Sequence, residues 1–402
     1  MNTQRSFDLA IVGAGPAGSS TARFAAELGL NTVLFDKRAL PRFKACGGAL
    51  SSRNVPLLGQ QALDAINCDV RELRLYSPTF NRFSYRSVDG HFVIRKDFDF
   101  AMVADARDAG AVVMENCAVS AVNAGAGGPY EVGTDEGVFR ADYVVAASGY
   151  AQQPFLKNLG IPRLQQQEKD YMAACVVSET PVDNNVLAET GLDGHVLAIF
   201  FGAVPNGYGW VFVKDGFLNI GIGATAVLLK DVGAMQAYNR FLDNLRRREI
   251  IPADLELTPG VGCPLPFKHT AERTVYGNLL LVGDAAGFVS PLSGEGLYYS
   301  IKGGQLAAEA VFRHKESGTP LAAYENAWRK EFGNDLNKYG YFMRTQIYKN
   351  SRRMELAVAL GKKDPHLALI LNKMLYGLYN YRQTLVRSLL RLPVSFLKAV
   401  FK

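Results

Sequence analysis

Three short stretches hold residues whose types and spacing could do chemistry. The first is Gly13-Ala14-Gly15-Pro16-Ala17-Gly18, fed by the apolar run Leu9-Ala10-Ile11-Val12 and followed, past a small-residue helix, by Thr32-Val33-Leu34-Phe35-Asp36. Strand, glycine turn, helix and acid-tipped strand together make a dinucleotide cradle. Gly13 serves the tight turn, Gly15 lets backbone approach a pyrophosphate, Gly18 lets helix pack closely on strand, and Asp36 accepts from a ribose hydroxyl. The helix opens at Pro16 and Ala17, so its free N–H groups and positive dipole end face the anion.

The second stretch runs from Lys37 through Arg38, Arg42 and Lys44 into Ala45-Cys46-Gly47-Gly48. A cation beside a free thiol favours the thiolate, and paired glycines let a flat ligand approach the backbone. An ordinary solvated turn is the plainer alternative. The third stretch is the buried strand Leu279-Leu280-Leu281-Val282 ending in Gly283-Asp284, followed by Ser293-Gly294-Glu295-Gly296 and a helix from Leu297. Asp284 at a strand end can bind a ribitol-type hydroxyl, while Gly294 and Gly296 bring the helix end at Leu297 close to a ligand. If that ligand is a flavin, the dipole stabilises negative charge on the N1–C2=O edge of the reduced ring. Two such signatures at distant parts of one chain, with an aromatic β-rich region between them, point to FAD rather than NAD.

The elements that must position these residues are legible from periodicity. Alternation predicts strands over 71–95 and 111–145 and a hairpin-rich sheet over 171–225, where Asn206-Gly207 and Asp215-Gly216 are turn signals. In Tyr208-Gly209-Trp210-Val211-Phe212 the three aromatics share one strand face, either as sheet core or as the wall of a pocket. A helix opening at Arg95 carries Met102, Val103 and Ala106, and Asp97 or Asp99 is expected to cap it. Residues 232–250 form an amphipathic helix with Arg246-Arg247-Arg248 in the last turn, as the macrodipole favours.

At 402 residues the chain is expected to hold more than one structural region. The five cysteines, Cys46, Cys68, Cys117, Cys175 and Cys263, are scattered and lack metal-ligand spacing, so neither a disulfide framework nor a metal site is expected. No apolar run reaches the roughly 20 residues that span a bilayer. The first strand starts too early to leave room for a signal peptide, and a cytoplasmic protein is expected. The net charge of +6 is mild and carries no nucleic-acid signature.

Taken together, Gly13-x-Gly15-x-x-Gly18, Lys44-Ala45-Cys46-Gly47-Gly48-Ala49-Leu50, Arg95 with Phe98-Asp99, Tyr208-Gly209-Trp210-Val211-Phe212, and Val282-Gly283-Asp284-Ala285-Ala286-Gly287 with Ser293-Gly294-Glu295-Gly296-Leu297-Tyr298-Tyr299 give the chain a resemblance over roughly residues 7 to 310. It resembles the geranylgeranyl reductase group of FAD-dependent oxidoreductases, which share the p-hydroxybenzoate hydroxylase fold. Two departures are Val213 where the family usually has Pro, and Ser148 where it often has Asp.

The resemblance implies an α/β (α+β) fold: a Rossmann-type FAD-binding domain (1–75, 92–150 and 265–315), an inserted antiparallel β-sheet substrate domain (76–91 and 151–264) and a C-terminal helical region (316–402). Lys37, Lys44, Gly47, Gly48 and Arg95 are then expected to join Gly13, Gly15, Ala17, Gly18, Asp36, Gly283, Asp284, Gly294, Gly296 and Leu297 around FAD. The implied reaction saturates carbon–carbon double bonds of a prenyl chain. An isolated alkene is a poor hydride acceptor, so an acid must stand near the flavin in a water-poor tunnel. Cys46 is the candidate for the residue beside the reactive carbon, as proton donor or as a group positioning one, with Tyr208, Trp210, Phe212, Phe200 and Phe201 lining the tunnel.

The competing expectation is an FAD-dependent monooxygenase or halogenase on the same fold, acting on an aromatic, polyketide or protein substrate. With one dinucleotide fingerprint, NAD(P)H would bind without a second Rossmann turn, and ferredoxin is an equal alternative as reductant. A prenylated lipid or small-molecule substrate is the expected partner. From Pro365 onward the chain lacks acidic residues, and Arg387, Arg391, Lys398 and Lys402 recur at helical spacing among leucines. Such a helix would suit an anionic membrane surface, giving peripheral contact with the inner face of the membrane.

Overall fold

The computed structural model describes residues 6–401 apart from 87–88, 125–128, 151–153, 163–171, 184, 189–191, 193, 227–232 and 349. The opening strand Ser6–Val12 lies at the centre of an eight-stranded sheet. It pairs in parallel with Gly137–Ala146 on one side and Thr32–Phe35 on the other, and the sheet continues to Val112–Met114 and Leu279–Leu281. Strand segments buried on both faces read as continuous apolar runs, as do residues 9–12, 33–35 and 143–146 and the strand Leu279–Leu281. The helices Pro16–Glu27 and Leu297–Ser317 pack on each other through small residues. A Cβ on Gly304 would lie 2.7 Å from the Ala17 carbonyl oxygen, and Ser20 Oγ donates to the Ile301 carbonyl at 2.9 Å. This contact joins the two glycine signatures, which are far apart in the chain.

A second, seven-stranded sheet contains Met172–Pro181, Val196–Phe201, Gly207–Lys214, Phe217–Thr225 and Val261–Pro266. Its pairs are antiparallel except one: Val196–Phe201 runs parallel to Glu72–Tyr76. The strand Glu72–Tyr76 therefore belongs wholly to this sheet, whereas the expected boundary at 75/76 would cut it. One face is covered by the helix Ala234–Arg247, whose Tyr238, Phe241 and Leu245 pack on Val211, Ile220 and Ile222. The other face presents Leu197, Trp210 and Phe212 toward Phe92, Val358, Ala368 and Tyr376. A small three-stranded sheet joins Ala49–Ser51, Gly90–Val93 and Ile66–Asp69.

Helices from Ala322 onward close the molecule, ending in Tyr381–Phe401. The polar side of this last helix faces the protein. Buried Asp364 receives Arg391 at 2.6 and 3.0 Å, Ser395 at 2.7 Å and Lys398 at 3.0 Å. Two of the basic residues expected to meet a membrane are thus turned inward, Arg387 lies over the Tyr379 ring at 4.5 Å, and Lys402 falls outside the described residues. The physical cause is Asp364 itself, whose buried carboxylate needs cationic partners. What faces outward is apolar: Leu389 is 57% exposed, Leu390 76% and Leu397 58%. Among the described residues no helix is long and apolar enough to cross a membrane.

Candidate active site

The glycine turn takes the form its spacing predicts. Gly13 has φ +107°, and a Cβ there would lie 2.6 Å from the Ala147 carbonyl oxygen. A Cβ on Gly18 would meet the Gly13 oxygen at 1.8 Å, so this glycine packs helix on strand. Gly15 differs: its chain neighbours aside, no atom of the described residues lies within 4 Å of its missing Cβ. Asp36 accepts from the Ala14 and Arg38 amides at 3.0 Å each and pairs with Arg42 at 3.3 Å.

Cys46 lies across the cavity on a loop anchored to the seven-stranded sheet. Its Sγ accepts from the Gly48 amide at 3.4 Å, and its carbonyl accepts from Asn219 Nδ2 at 2.9 Å. Fully buried Asn219 also accepts from Trp210 Nε1 at 2.8 Å and donates to Glu179 at 3.2 Å. Glu179 in turn pairs with fully buried Lys214 at 2.5 Å, and Lys214 donates to the Val93 carbonyl at 2.9 Å. Burial pulls the Lys214 pKa down from its ordinary value, against the raising effect of Glu179. The glycine pair serves this packing. A Cβ on Gly47 would lie 2.6 Å from the Phe212 ring, and one on Gly48, at φ +70°, would lie 2.2 Å from the Val93 oxygen. The close approach that these glycines permit is made by the protein's own sheet.

Arg95 and Asp99 form a buried bidentate pair at 2.7 and 2.9 Å. Asp99 was expected as a cap, yet the helix end at Ile94 has no side-chain cap, and the carboxylate is committed to Arg95. Burial works against the Arg95 charge, but Asp99 and the adjoining Cys46 thiol push its pKa up on balance. The Asp284 carboxylate has no hydrogen-bond or ion-pair partner among the described residues. Burial pushes its pKa up, while Lys44 and Arg95 pull the other way.

One cavity of about 650 Å³ joins these groups. It is bordered by Gly13, Gly15, Ala17, Asp36, Lys37, Lys44, Cys46, Gly47, Gly48, Arg95, Asp284, Gly294, Gly296 and Leu297, and by Tyr208, Trp210 and Phe212. Gly18 and Gly283 stand behind its wall as packing residues; a Cβ on Gly283 would lie 2.8 Å from Ala17 Cβ. Phe200 does not line the cavity. Its ring stacks on Tyr76 at 4.3 Å and meets Phe241 at 5.4 Å on the far side of the sheet. Successive strand residues point to opposite faces, so Leu197, Ile199 and Phe201 border the cavity in its place. Tyr208 donates from its hydroxyl to the Ser293 carbonyl, tying the aromatic wall to the second glycine signature, and burial holds that phenol well above its ordinary pKa.

Residues 6–189 match the model of the FAD binding domain family. The chain is 31% identical to digeranylgeranylglycerophospholipid reductase 2 of Methanopyrus kandleri, over 89% of this chain and 91% of that one. The chain belongs to the geranylgeranyl reductase family. It is also 30% identical to menaquinone reductase of Mycolicibacterium smegmatis, over 82% of this chain and 80% of the other. A geranylgeranyl bacteriochlorophyll reductase-like protein of Thermoplasma acidophilum shares the fold, with a TM-score of 0.79 at 22% identity, covering 90% of this chain and 92% of that one.

As a member of this family the chain is an FAD-dependent oxidoreductase, and the cavity fits the cofactor on its own evidence. Open space at Gly15 and two groups without a hydrogen-bond partner among the described residues, the Asp284 carboxylate and the buried Ser148 Oγ, all border it. These polar groups ask for hydrogen-bonding partners that the described residues do not supply.

Several site residues carried no sequence signal. Lys214 sits beside the Asp215-Gly216 turn and reads as solvated, and Asn219 reads as a polar interruption of a strand. Arg53 and Glu295 pair at 2.6 Å, with Arg53 over the Tyr298 ring at 3.8 Å, clamping the second glycine signature to residues 51–53. Cys175 and Cys263 also border the cavity. Glu295 is the exception, since it stands inside Ser293-Gly294-Glu295-Gly296.

Proposed function

We propose that the chain saturates carbon–carbon double bonds in the prenyl part of a lipid or quinone. The observation that carries this reading is the continuity of the cavity. It runs from the glycine turn past Cys46 and Arg95 to Tyr208, Trp210 and Phe212, and on to Val358, Leu371 and Met374 of the C-terminal helices. A charged end suits a dinucleotide, and an apolar end suits a hydrocarbon that makes no hydrogen bonds. The names of the relatives agree, since a digeranylgeranyl lipid and a menaquinone both carry prenyl chains.

When bound, reduced FAD supplies the hydride. Gly15 and the Pro16–Glu27 helix end would receive the pyrophosphate, Asp36 and Arg42 the ribose edge, and Asp284 the ribitol. Cys46 would hold the proton that the alkene needs nearly in concert. Arg95, fixed by Asp99, offsets the negative charge left on its sulfur. Tyr208, Trp210 and Phe212 exclude water from the reacting carbons. In this reading the eight-stranded sheet carries the cofactor, while the seven-stranded sheet and the C-terminal helices take the substrate. The outward leucines of Tyr381–Phe401 would rest in the membrane interface and give the cavity access to lipid, a role for apolar rather than basic residues.

The test is anaerobic incubation of the FAD-loaded protein, chemically reduced, with a digeranylgeranyl lipid and with menaquinone, read by mass spectrometry. The expected product has gained hydrogen in the side chain. Oxygen-dependent insertion of an oxygen atom, with no hydrogenated product anaerobically, would overturn the reading.

A further inference from the structure

Cys175 and Cys263 take no part in the chemistry described so far, yet they are direct partners across antiparallel strands. Cys175 of Met172–Pro181 faces Cys263 of Val261–Pro266 in register. Residues directly opposite in such a pair hold their Cβ atoms roughly 4.5–5.5 Å apart, just beyond the ~3.5–4.5 Å of a disulfide. On its other side Cys175 is opposite Gly223, and its Sγ lies 3.2 Å from where a Gly223 Cβ would stand. The missing side chain leaves the sulfur room to move. Both thiols are half-buried, and both border the cavity that also holds Cys46. Of the remaining cysteines, Cys117 also borders the cavity but is fully buried, and Cys68 lies outside it.

We infer that Cys175 and Cys263 are a redox-active dithiol, which a small disulfide such as oxidised glutathione converts into a cross-strand disulfide inside the cavity. The Cys263 sulfur attacks one sulfur of the small disulfide, forming a mixed disulfide and releasing one glutathione thiolate. Cys175 then gives up its proton and attacks Cys263 Sγ, closing the intrachain bond and releasing the second glutathione. The two protein thiols lose two electrons and two protons, and the small disulfide gains them.

The surroundings divide these roles between the sulfurs. The hydrogen bond with Cys175 lowers the Cys263 pKa against the upward push of burial. Lys44 and Arg95 pull it further down and Asp284 opposes them. The same hydrogen bond, with burial, drives Cys175 well above its ordinary value. Cys263 is therefore the attacking thiolate and Cys175 the resolving thiol. Burial pushes Cys68 and Cys117 upward, so neither competes.

The experiment uses the full FAD-loaded chain, reduced, desalted and exposed to oxidised glutathione. Free thiols are then blocked with N-ethylmaleimide and the chain is digested without reduction for mass spectrometry. The expected result is a Cys175-peptide to Cys263-peptide link that dithiothreitol removes. In Cys175→Ser, glutathione should remain attached to Cys263; in Cys263→Ser, Cys175 should stay unmodified. Both thiols remaining free in the wild-type chain, separate glutathione adducts on each, or a Cys46–Cys263 link would overturn the inference. None of these readouts depends on prenyl reduction, so failure here leaves the proposed function standing, and the reverse also holds.

Discussion

Asn219→Ala removes the side chain that ties the Cys46 loop to the seven-stranded sheet. In the native protein this amide accepts from Trp210 Nε1 at 2.8 Å and donates to the Cys46 carbonyl at 2.9 Å and to Glu179 at 3.2 Å. Truncation leaves an indole N–H and a carbonyl without partners, and Glu179 with one bond fewer. An orphaned buried polar group costs roughly 1–3 kcal/mol. Water entering from the adjoining cavity can recover part of that, so the expected loss is about 2–5 kcal/mol. Unfolding entropy near 2 cal/mol/K per residue converts this into a fall in Tm of about 2–6 °C for a chain of this length. Once untethered, Cys46 should lose its position, so kcat should fall roughly tenfold or more while KM for the prenyl substrate changes little. Denaturant unfolding gives the first quantity and steady-state turnover of the FAD-loaded protein the second. A variant within about 0.5 kcal/mol of wild type with unchanged kcat would refute the idea that this network holds the loop.

Four further outcomes are expected. Gly15→Ala should leave the stability of the FAD-free protein within about 0.5 kcal/mol, because a Cβ there meets no protein atom, yet weaken FAD binding measured by fluorescence titration; Gly18→Ala should instead compromise folding, its Cβ falling 1.8 Å from the Gly13 oxygen. Cys46→Ala should retain flavin, read from the absorbance of the purified protein, and lose prenyl reduction; full activity in the flavin-loaded variant would remove Cys46 from the reaction. The Arg391 hydrogen bond, opposed by burial and aided by Ser395 and Lys398, holds the Asp364 carboxyl well below the usual range. A depressed carboxylate stabilises the fold above its unfolded pKa of about 4 and loses that contribution as pH falls below it, so hydrogen exchange of the Tyr381–Phe401 amides, corrected for intrinsic rates, should accelerate below about pH 4, and in Asp364→Asn already at neutral pH. Finally, Leu390→Glu with Leu397→Glu should abolish flotation with anionic vesicles and leave the Tm nearly unchanged, since both side chains are more than half exposed; unaltered flotation would separate this helix from membrane contact.

Local chemistry made the glycine-lined half of the cavity legible. Gly13 and Gly18 satisfy steric demands of neighbours joined by fixed strand-and-helix geometry, and such demands can be read from spacing alone, whereas Gly283, expected at the cofactor, packs behind the wall. The strand alternation that set Tyr208, Trp210 and Phe212 on one face is equally local. The same period excluded Phe200 and admitted Phe201, because which of two adjacent residues faces the cavity depends on where the sheet packs. Arg391 and Lys398 looked like a membrane-facing stripe while Asp364 was merely a residue some thirty positions earlier. Folding buried that carboxylate against the helix and reversed which face meets the outside.

The chain by itself therefore determined the cofactor class and the elements that carry it, since strand period, helix period and glycine sterics all act within a few residues. Only the tertiary structure decided the Asn219–Glu179–Lys214 network behind Cys46 and the pairing of Cys175 with Cys263. Those side chains become neighbours through sheet register and close packing, and the electrostatics that make them consequential arise when water is removed from between them.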